Sequence, residues 1–216
     1  MYAYTEQDQR IIEERAAQYK DQTHRYLNGE LSDDEFLVLR LQNGLYLQRH
    51  APMLRIAVPH GMLNTKQLRK IAAISRDYDK GYAHISTRQN IQLNWPAFED
   101  VPDILAELAS VEMHGIQTSG SCIRNTTSDE FAGVAKDEDI DPRPYCEIIR
   151  QWSTLHPEFA MLPRKFKISV TGNSKDRAAS QTNDIGIQVK YNADGEIGFQ
   201  VRAGGGLGRN IAPAAR

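Results

Sequence analysis

Cysteine is scarce in this chain, and that sets the first limit on what it can be. Two thiols, Cys122 and Cys146, stand 24 residues apart among 216, neither a metal-ligand spacing nor a disulfide framework. No apolar run approaches the roughly 20 residues of a membrane helix. The opening from Met1 to Arg10 is charged and helix-prone, unlike a secretion signal. Excess charge is missing too: 26 basic against 28 acidic residues leave a formal net of -2, which removes any general attraction to nucleic acid or membrane. These absences point to a globular, cytoplasmic chain.

Glu6 to about Tyr26 reads as a helix with a thin apolar stripe (Ile11, Ile12, Ala16, Tyr19), suited to lying across a larger body without filling a core. Ser32 and Glu35 have capping-box spacing and open a short helix that stops near Asn43-Gly44. Met53–Val58 is a strand candidate. Asn64 or Thr65 caps a helix with Leu68, Ile71, Ala72 and Ser75 on one face. Tyr82–Ser86 and Asn90–Trp95 alternate as two strands, Val101–Ser110 is an amphipathic helix, and Val111–Ile116 is a last strand. Strand, helix, strand, strand, helix, strand is the ferredoxin-like split order.

Beyond a Gly/Ser/Thr-rich stretch, Asp141-Pro142 opens a helix with Tyr145, Ile148, Ile149, Trp152 and Leu155 as its apolar residues. Lys165–Val170 alternates as a strand. Ile185–Tyr191 and Ile197–Ala203 form a hairpin around Asn192-Ala193-Asp194-Gly195. The fold expected is α+β: a helical arm over 1–44, a ferredoxin-like half-domain over 45–117, and over 118–216 the first part of a mixed α/β domain.

Candidate chemistry sits on the strands. Lys165 and Lys167 share one face, opposite Phe166, Ile168 and Val170, with Arg164 beside them. Like charges in one row repel unless an anion lies there, although a solvated sheet face explains the same pattern. His84 and Ser86 share a face, as do Gln92 and Asn94, with Arg88 near the turn. Such an edge suits a ligand rich in carboxylates; an ordinary half-exposed strand pair fits equally well. Arg55 lies within a strand, where a salt-bridged edge arginine is the plain alternative. Arg124 and Asn125 lie in Gly120-Ser121-Cys122-Ile123-Arg124-Asn125-Thr126-Thr127, small polar residues that let backbone approach a ligand or simply form a loop. Both cysteines read as buried small hydrophobes. The glycine run Gly204–Gly208 lacks phosphate-loop spacing.

Several stretches together resemble the sirohaem-dependent sulfite and nitrite reductases. They are Met53-Leu54-Arg55, Val58-Pro59-His60-Gly61, His84-Ile85-Ser86-Thr87-Arg88-Gln89-Asn90-Ile91-Gln92, Thr118-Ser119-Gly120 with Arg124-Asn125, Leu162-Pro163-Arg164-Lys165-Phe166-Lys167, Asn183-Asp184-Ile185-Gly186, and Gly204–Arg209. They come in the family's order and cover most of the chain from about Leu41. The opening helix and Ile148–Trp152 are most similar to the bacterial assimilatory sulfite reductase haemoprotein subunit.

The resemblance implies that Arg55, Arg124, Lys165 and Lys167 bind the oxyanion, stabilise charge as electrons arrive and relay protons. It implies that His84, Ser86, Arg88, Gln92, Asn94, Asn125 and Arg164 hold sirohaem, making 118–216 the beginning of the sirohaem-binding domain. The implied reaction is sulfite to sulfide, or nitrite to ammonia on the same scaffold, with ferredoxin or an NADPH-dependent flavoprotein subunit as donor. The family's [4Fe-4S] cluster needs four cysteines, which this chain does not have. The expectation is therefore an N-terminal fragment, inactive alone, whose partner half carries the cluster ligands. A non-catalytic tetrapyrrole- or anion-binding half-domain is the alternative from another class.

Overall fold

The structure, a computed structural model, describes residues 3–215. It forms two units: one runs through Val58 and resumes over Met62–Gly120, and the other combines Pro59–Gly61 with the chain from Ser121 onward.

In the first unit, α1 (Glu6–Leu27) and α2 (Asp33–Gln42) each begin with a capping box, Thr5 with Asp8 and Ser32 with Glu35. The helical segment is not a separate arm. Ile12, Ala16 and Tyr19 of α1 and Phe36 of α2 are buried in the same core as Leu54, Ile56 and Leu93. Aromatic packing draws them in: Tyr26 stacks on Phe36 at 4.3 Å between ring centroids, and Phe98 meets both edge-on at 5.8 Å.

The sheet of this unit is antiparallel, in the order β1-β2-β4-β3, from β1 (Leu45–Leu47), β2 (Pro52–Ile56), β3 (His84–Ile85) and β4 (Ile91–Leu93). Both expected strands around the His84 turn are shorter than the alternation suggested. With α3 (Thr65–Tyr78) and α4 (Val101–Ala109), β2 to β4 give the first five elements of the ferredoxin-like order. The sixth, expected over Val111–Ile116, is not a strand. The β2 edge it would need is held by β1, through Leu45 opposite Leu54 and Tyr46 opposite Met53. Residues 111–116 turn instead, with Glu112 at φ 60°, and reach β2 through the bond from the Ala57 N–H to the His114 carbonyl, 2.7 Å.

Helix α3 is capped by Asn64 and buries Gln67, Ile71, Ile74 and Ser75, leaving Leu68 55% exposed. Gln67 turns the helix onto this face. Its side-chain oxygen accepts the Asn64 N–H, and its amide donates to the Val111 carbonyl. A buried polar pair thus outranks one leucine.

In the second unit, β5 (Ile168–Thr171) runs parallel to β6 (Ile185–Tyr191), which pairs antiparallel with β7 (Ile197–Ala203) across the expected hairpin. Helix α5 (Arg143–Ser153) packs Cys146 against Val170 and Val189. Pro142 is its N-cap rather than its first residue, while the Asp141 carboxylate accepts the Arg143 N–H. The expected apolar stripe is divided: Tyr145 and Ile149 pack against this core, Ile148, Trp152 and Leu155 are exposed, and Cys146, Glu147 and Ser153 are buried. The glycine run ends in a small ribbon of β8 (Gly206–Leu207) and β9 (Ile211–Ala212). Among the described residues no helix is long and apolar enough to cross a membrane.

Candidate functional site

The first unit builds a row of polar side chains across three strands. Register places His84 opposite Gln92 and Gln92 opposite Arg55, so all three project from one face of the sheet while Leu54, Ile56, Ile91 and Leu93 bury the other. The Arg55 guanidinium donates to the Gln92 side-chain oxygen from Nε (3.3 Å) and from a terminal nitrogen (3.1 Å), and to the Thr118 carbonyl at 3.1 Å. It also lies 5.3 Å from the Tyr46 ring centroid. Gln92 passes an amide N–H to the Asn94 oxygen at 3.0 Å. Gln92 therefore braces Arg55 and Asn94 against each other, a rigid arrangement of N–H-rich groups.

Ser86 does not extend this row. Its hydroxyl oxygen accepts the backbone N–H groups of Arg88 and Asn90, both at 3.3 Å, holding the turn in which Gln89 is left-handed at φ 56°. Arg88, half-buried, is carried on that turn.

The second unit brings three cations to one face. Ahead of β5, the chain around Phe166 pairs with the segment around Ile123 in parallel register, and Ser169 pairs with Thr127. Four steps on one side match three on the other, so the 123–127 segment carries a one-residue bulge. Pairing Ile123 with Phe166 turns Arg124, Lys165 and Lys167 together to the opposite face. Arg124 is buried, Lys167 half-buried and Lys165 exposed. The bonds from the Arg124 N–H to the Phe166 carbonyl (2.8 Å) and from the Phe166 N–H to the Cys122 carbonyl (3.0 Å) fix this register.

Asn125 falls in the bulge, and its side-chain oxygen accepts the His60 N–H at 3.2 Å. His60 is itself left-handed at φ 40°. Its buried imidazole lies 3.8 Å from Glu147, which Arg150 clamps with two nitrogens. Burial lowers the His60 pKa, and the Glu147 carboxylate opposes that shift. Arg164 is 76% exposed, with its guanidinium 4.0 Å from Asp184, the residue whose carboxylate also accepts the Lys167 N–H.

Cys146 is fully buried, whereas Cys122 is half-buried, its thiol pKa pushed up by burial against the pull of Arg124. Among the described residues, no group of three or more His, Cys, Asp or Glu side chains could hold a metal. The two donor sets fit an acidic organic cofactor and a small anion; they do not fit an iron–sulfur cluster, which takes four thiolates. His60 and Asp184 have no role in the sequence reading, although both lie in stretches that resemble the family. A Pro-His-Gly turn and an aspartate ahead of an apolar strand were the signals available.

Comparison with known proteins agrees with these units. Residues 46–111 match the family described as "Nitrite/Sulfite reductase ferredoxin-like half domain", and residues 119–216 match "Nitrite and sulphite reductase 4Fe-4S domain". An assimilatory ferredoxin-dependent nitrite reductase of Haloferax mediterranei is 37% identical over 179 residues, 76% of this chain and 30% of that protein. The chloroplastic ferredoxin–nitrite reductase of Arabidopsis thaliana is 33% identical, over 83% of this chain and 32% of that one. A ferredoxin sulfite reductase of Mycolicibacterium paratuberculosis is also 33% identical, over 76% and 29%.

The solved NirA protein of Mycobacterium tuberculosis superposes with a TM-score of 0.79 at 28% identity, covering 86% of this chain and 37% of that one. The chain thus spans about a third of the length of the curated relatives it matches. With two family domains matched in order over about three quarters of its residues, the chain belongs to the sirohaem-dependent nitrite and sulfite reductases.

Proposed function

We propose that this chain is the substrate-cation and cofactor-cradle part of a cytoplasmic sulfite reductase. The observation that carries the reading is the face bearing Arg124, Lys165 and Lys167. Alternation from the Ile123–Phe166 pairing puts these three cations on one side of the chain, and charge-assisted bonds from such a set suit a small anion. In this reading Arg124, Lys165 and Lys167, together with Arg55 of the first unit, bind the oxyanion. As electrons are added these residues stabilise the growing negative charge, and the lysines deliver protons to the departing oxygens.

His84, Arg88, Asn94, Asn125 and Arg164 offer N–H donors to the sirohaem carboxylates, with Ser86 and Gln92 fixing their neighbours. When bound, sirohaem and the cluster supply the iron and the electrons. With two cysteines this chain does not ligate that cluster, and alone it is expected to be inactive. The donor named in the relatives, ferredoxin, is the donor proposed here.

Nitrite as substrate has its own support, because the 37% identical relative is a nitrite reductase. The decisive experiment assays both oxyanions in the enzyme that contains this chain, then repeats the assay with Lys165→Met and Lys167→Met. Sulfite turnover should fall at least about tenfold in each, the cost of one lost charge-assisted contact, while the sirohaem absorption remains. Arg88→Ala should instead lower sirohaem occupancy. Unchanged turnover in both lysine variants would remove the cation face from the site. A nitrite rate far above the sulfite rate would exchange the substrate and keep the site.

A further inference from the structure

We propose that Asp184 is a positioning residue for the cation strand, acting through the Lys167 main chain. This rests on the reading of Lys167 as an oxyanion-binding residue. The regular ladder between β5 and β6 starts at Ile168 opposite Ile185, and the Ile185 N–H donates to the Lys167 carbonyl at 3.1 Å. In a continuing parallel ladder, the Lys167 N–H would donate to the carbonyl of residue 183. That carbonyl is turned away: it lies against Gly205, so closely that a Cβ on Gly205 would collide with it. The Lys167 N–H would then lack an acceptor in a half-buried strand, a costly state for a backbone donor.

The Asp184 side chain supplies the acceptor. Its Oδ2 receives the Lys167 N–H at 2.8 Å, and its carboxylate is 17% exposed. The same residue's carbonyl accepts the Gly204 N–H at 2.9 Å, so Asp184 is anchored from both sides. Lys167 is consequently gripped at its N–H by a side chain and at its carbonyl by β6. This occurs one residue ahead of the regular ladder, in the stretch that carries both lysines. The other Asp184 oxygen is 4.0 Å from Arg164, whose side chain is largely in solvent, where a pair contributes little. The acceptor, not the negative charge, is the working part.

The test compares Asp184→Ala with Asp184→Asn in the cofactor-loaded enzyme, because asparagine keeps an oxygen at the acceptor position. Asp184→Ala should speed hydrogen exchange of the Lys167 amide and raise the KM for the oxyanion, each by about tenfold. Saturated turnover should fall much less, and the sirohaem spectrum should persist. Asp184→Asn should restore both amide protection and KM to within about threefold of the parent.

An Asp184→Asn enzyme as impaired in KM as Asp184→Ala would overturn the proposal in favour of charge. Unchanged exchange in Asp184→Ala would overturn it outright, as would an unchanged KM in Asp184→Ala where Lys167→Met raises KM. Lys167→Met, measured alongside, separates the two levels. If that variant keeps the parental KM while Asp184→Ala loses amide protection, the clamp stands and the role of Lys167 in binding the oxyanion fails.

Discussion

Replacing Gln92 with glutamate should make the first unit more stable and the enzyme worse, and the structure sets both signs. The Gln92 oxygen already receives two guanidinium N–H groups of Arg55, at 3.3 and 3.1 Å. A carboxylate there turns two neutral-acceptor bonds into a charge-assisted pair in a half-buried setting, a gain of about 2 kcal/mol before losses. The loss is the bond from Gln92 to the Asn94 oxygen, 3.0 Å, which Asn94 can recover by turning its amide nitrogen toward the new carboxylate. A net gain of about 1 kcal/mol raises the melting temperature by roughly 4 °C for a unit of this size.

The same charge opposes function. In the proposed site, an anion on Arg55 would be one guanidinium width, roughly 6 Å, from the new carboxylate. At an effective dielectric of about 20 that repulsion approaches 3 kcal/mol, so even after screening the oxyanion should bind at least about tenfold more weakly. Thermal denaturation and a titration of the holoenzyme with sulfite or nitrite read the two effects separately. A lower melting temperature with unaltered anion affinity would refute both the bracing role of Gln92 and the place of Arg55 in binding.

Three further outcomes follow. Gly172→Ala should prevent the second unit from folding, because a Cβ there runs into the Ile140 carbonyl oxygen; soluble yield and cooperative melting read this. Gly198→Ala should be tolerated or slightly stabilising, since the nearest atom to its Cβ is the Lys190 oxygen at 3.9 Å. His60, whose pKa burial lowers from 6.5, takes up its proton at a lower pH in the folded unit than in the unfolded chain. Stability should therefore fall as pH drops through about 6.5 toward the lower folded value, and His60→Asn, which tolerates the left-handed backbone, should flatten that slope in urea titrations at pH 5 to 7.

Element order was legible because capping and alternation are local. Ser32 with Glu35 opens α2, Asn64 opens α3, and the β6–β7 hairpin occupies the residues its alternation marks. Helix faces were less legible, because they are chosen by tertiary partners. Leu68 and Trp152 satisfy helical periodicity, yet Gln67 and Glu147 are buried in their place, since each has a hydrogen-bonding partner waiting. The Val111–Ile116 strand failed for a competitive reason. The nearby segment Leu45–Leu47 holds the β2 edge instead, as β1, and a strand edge accepts one partner.

At the candidate site, alternation could put Lys165 with Lys167, because both belong to one strand. It could not put Arg124 with them. That depends on a segment some forty residues earlier lying parallel to the lysine strand, with Ile123 opposite Phe166. Had the pairing slipped by one residue, Arg124 would face the apolar side with Ile168 and Val170, where a guanidinium cannot be solvated. The bulge between Ile123 and Thr127 adds a second requirement, since it hands Asn125 to the His60 N–H while returning Thr127 to register with Ser169. The cation face is thus a product of strand register, and register is fixed at its other edge by the bond from Lys167 to Asp184. Single-residue changes that shift this register should therefore damage oxyanion binding without touching any of the three cations.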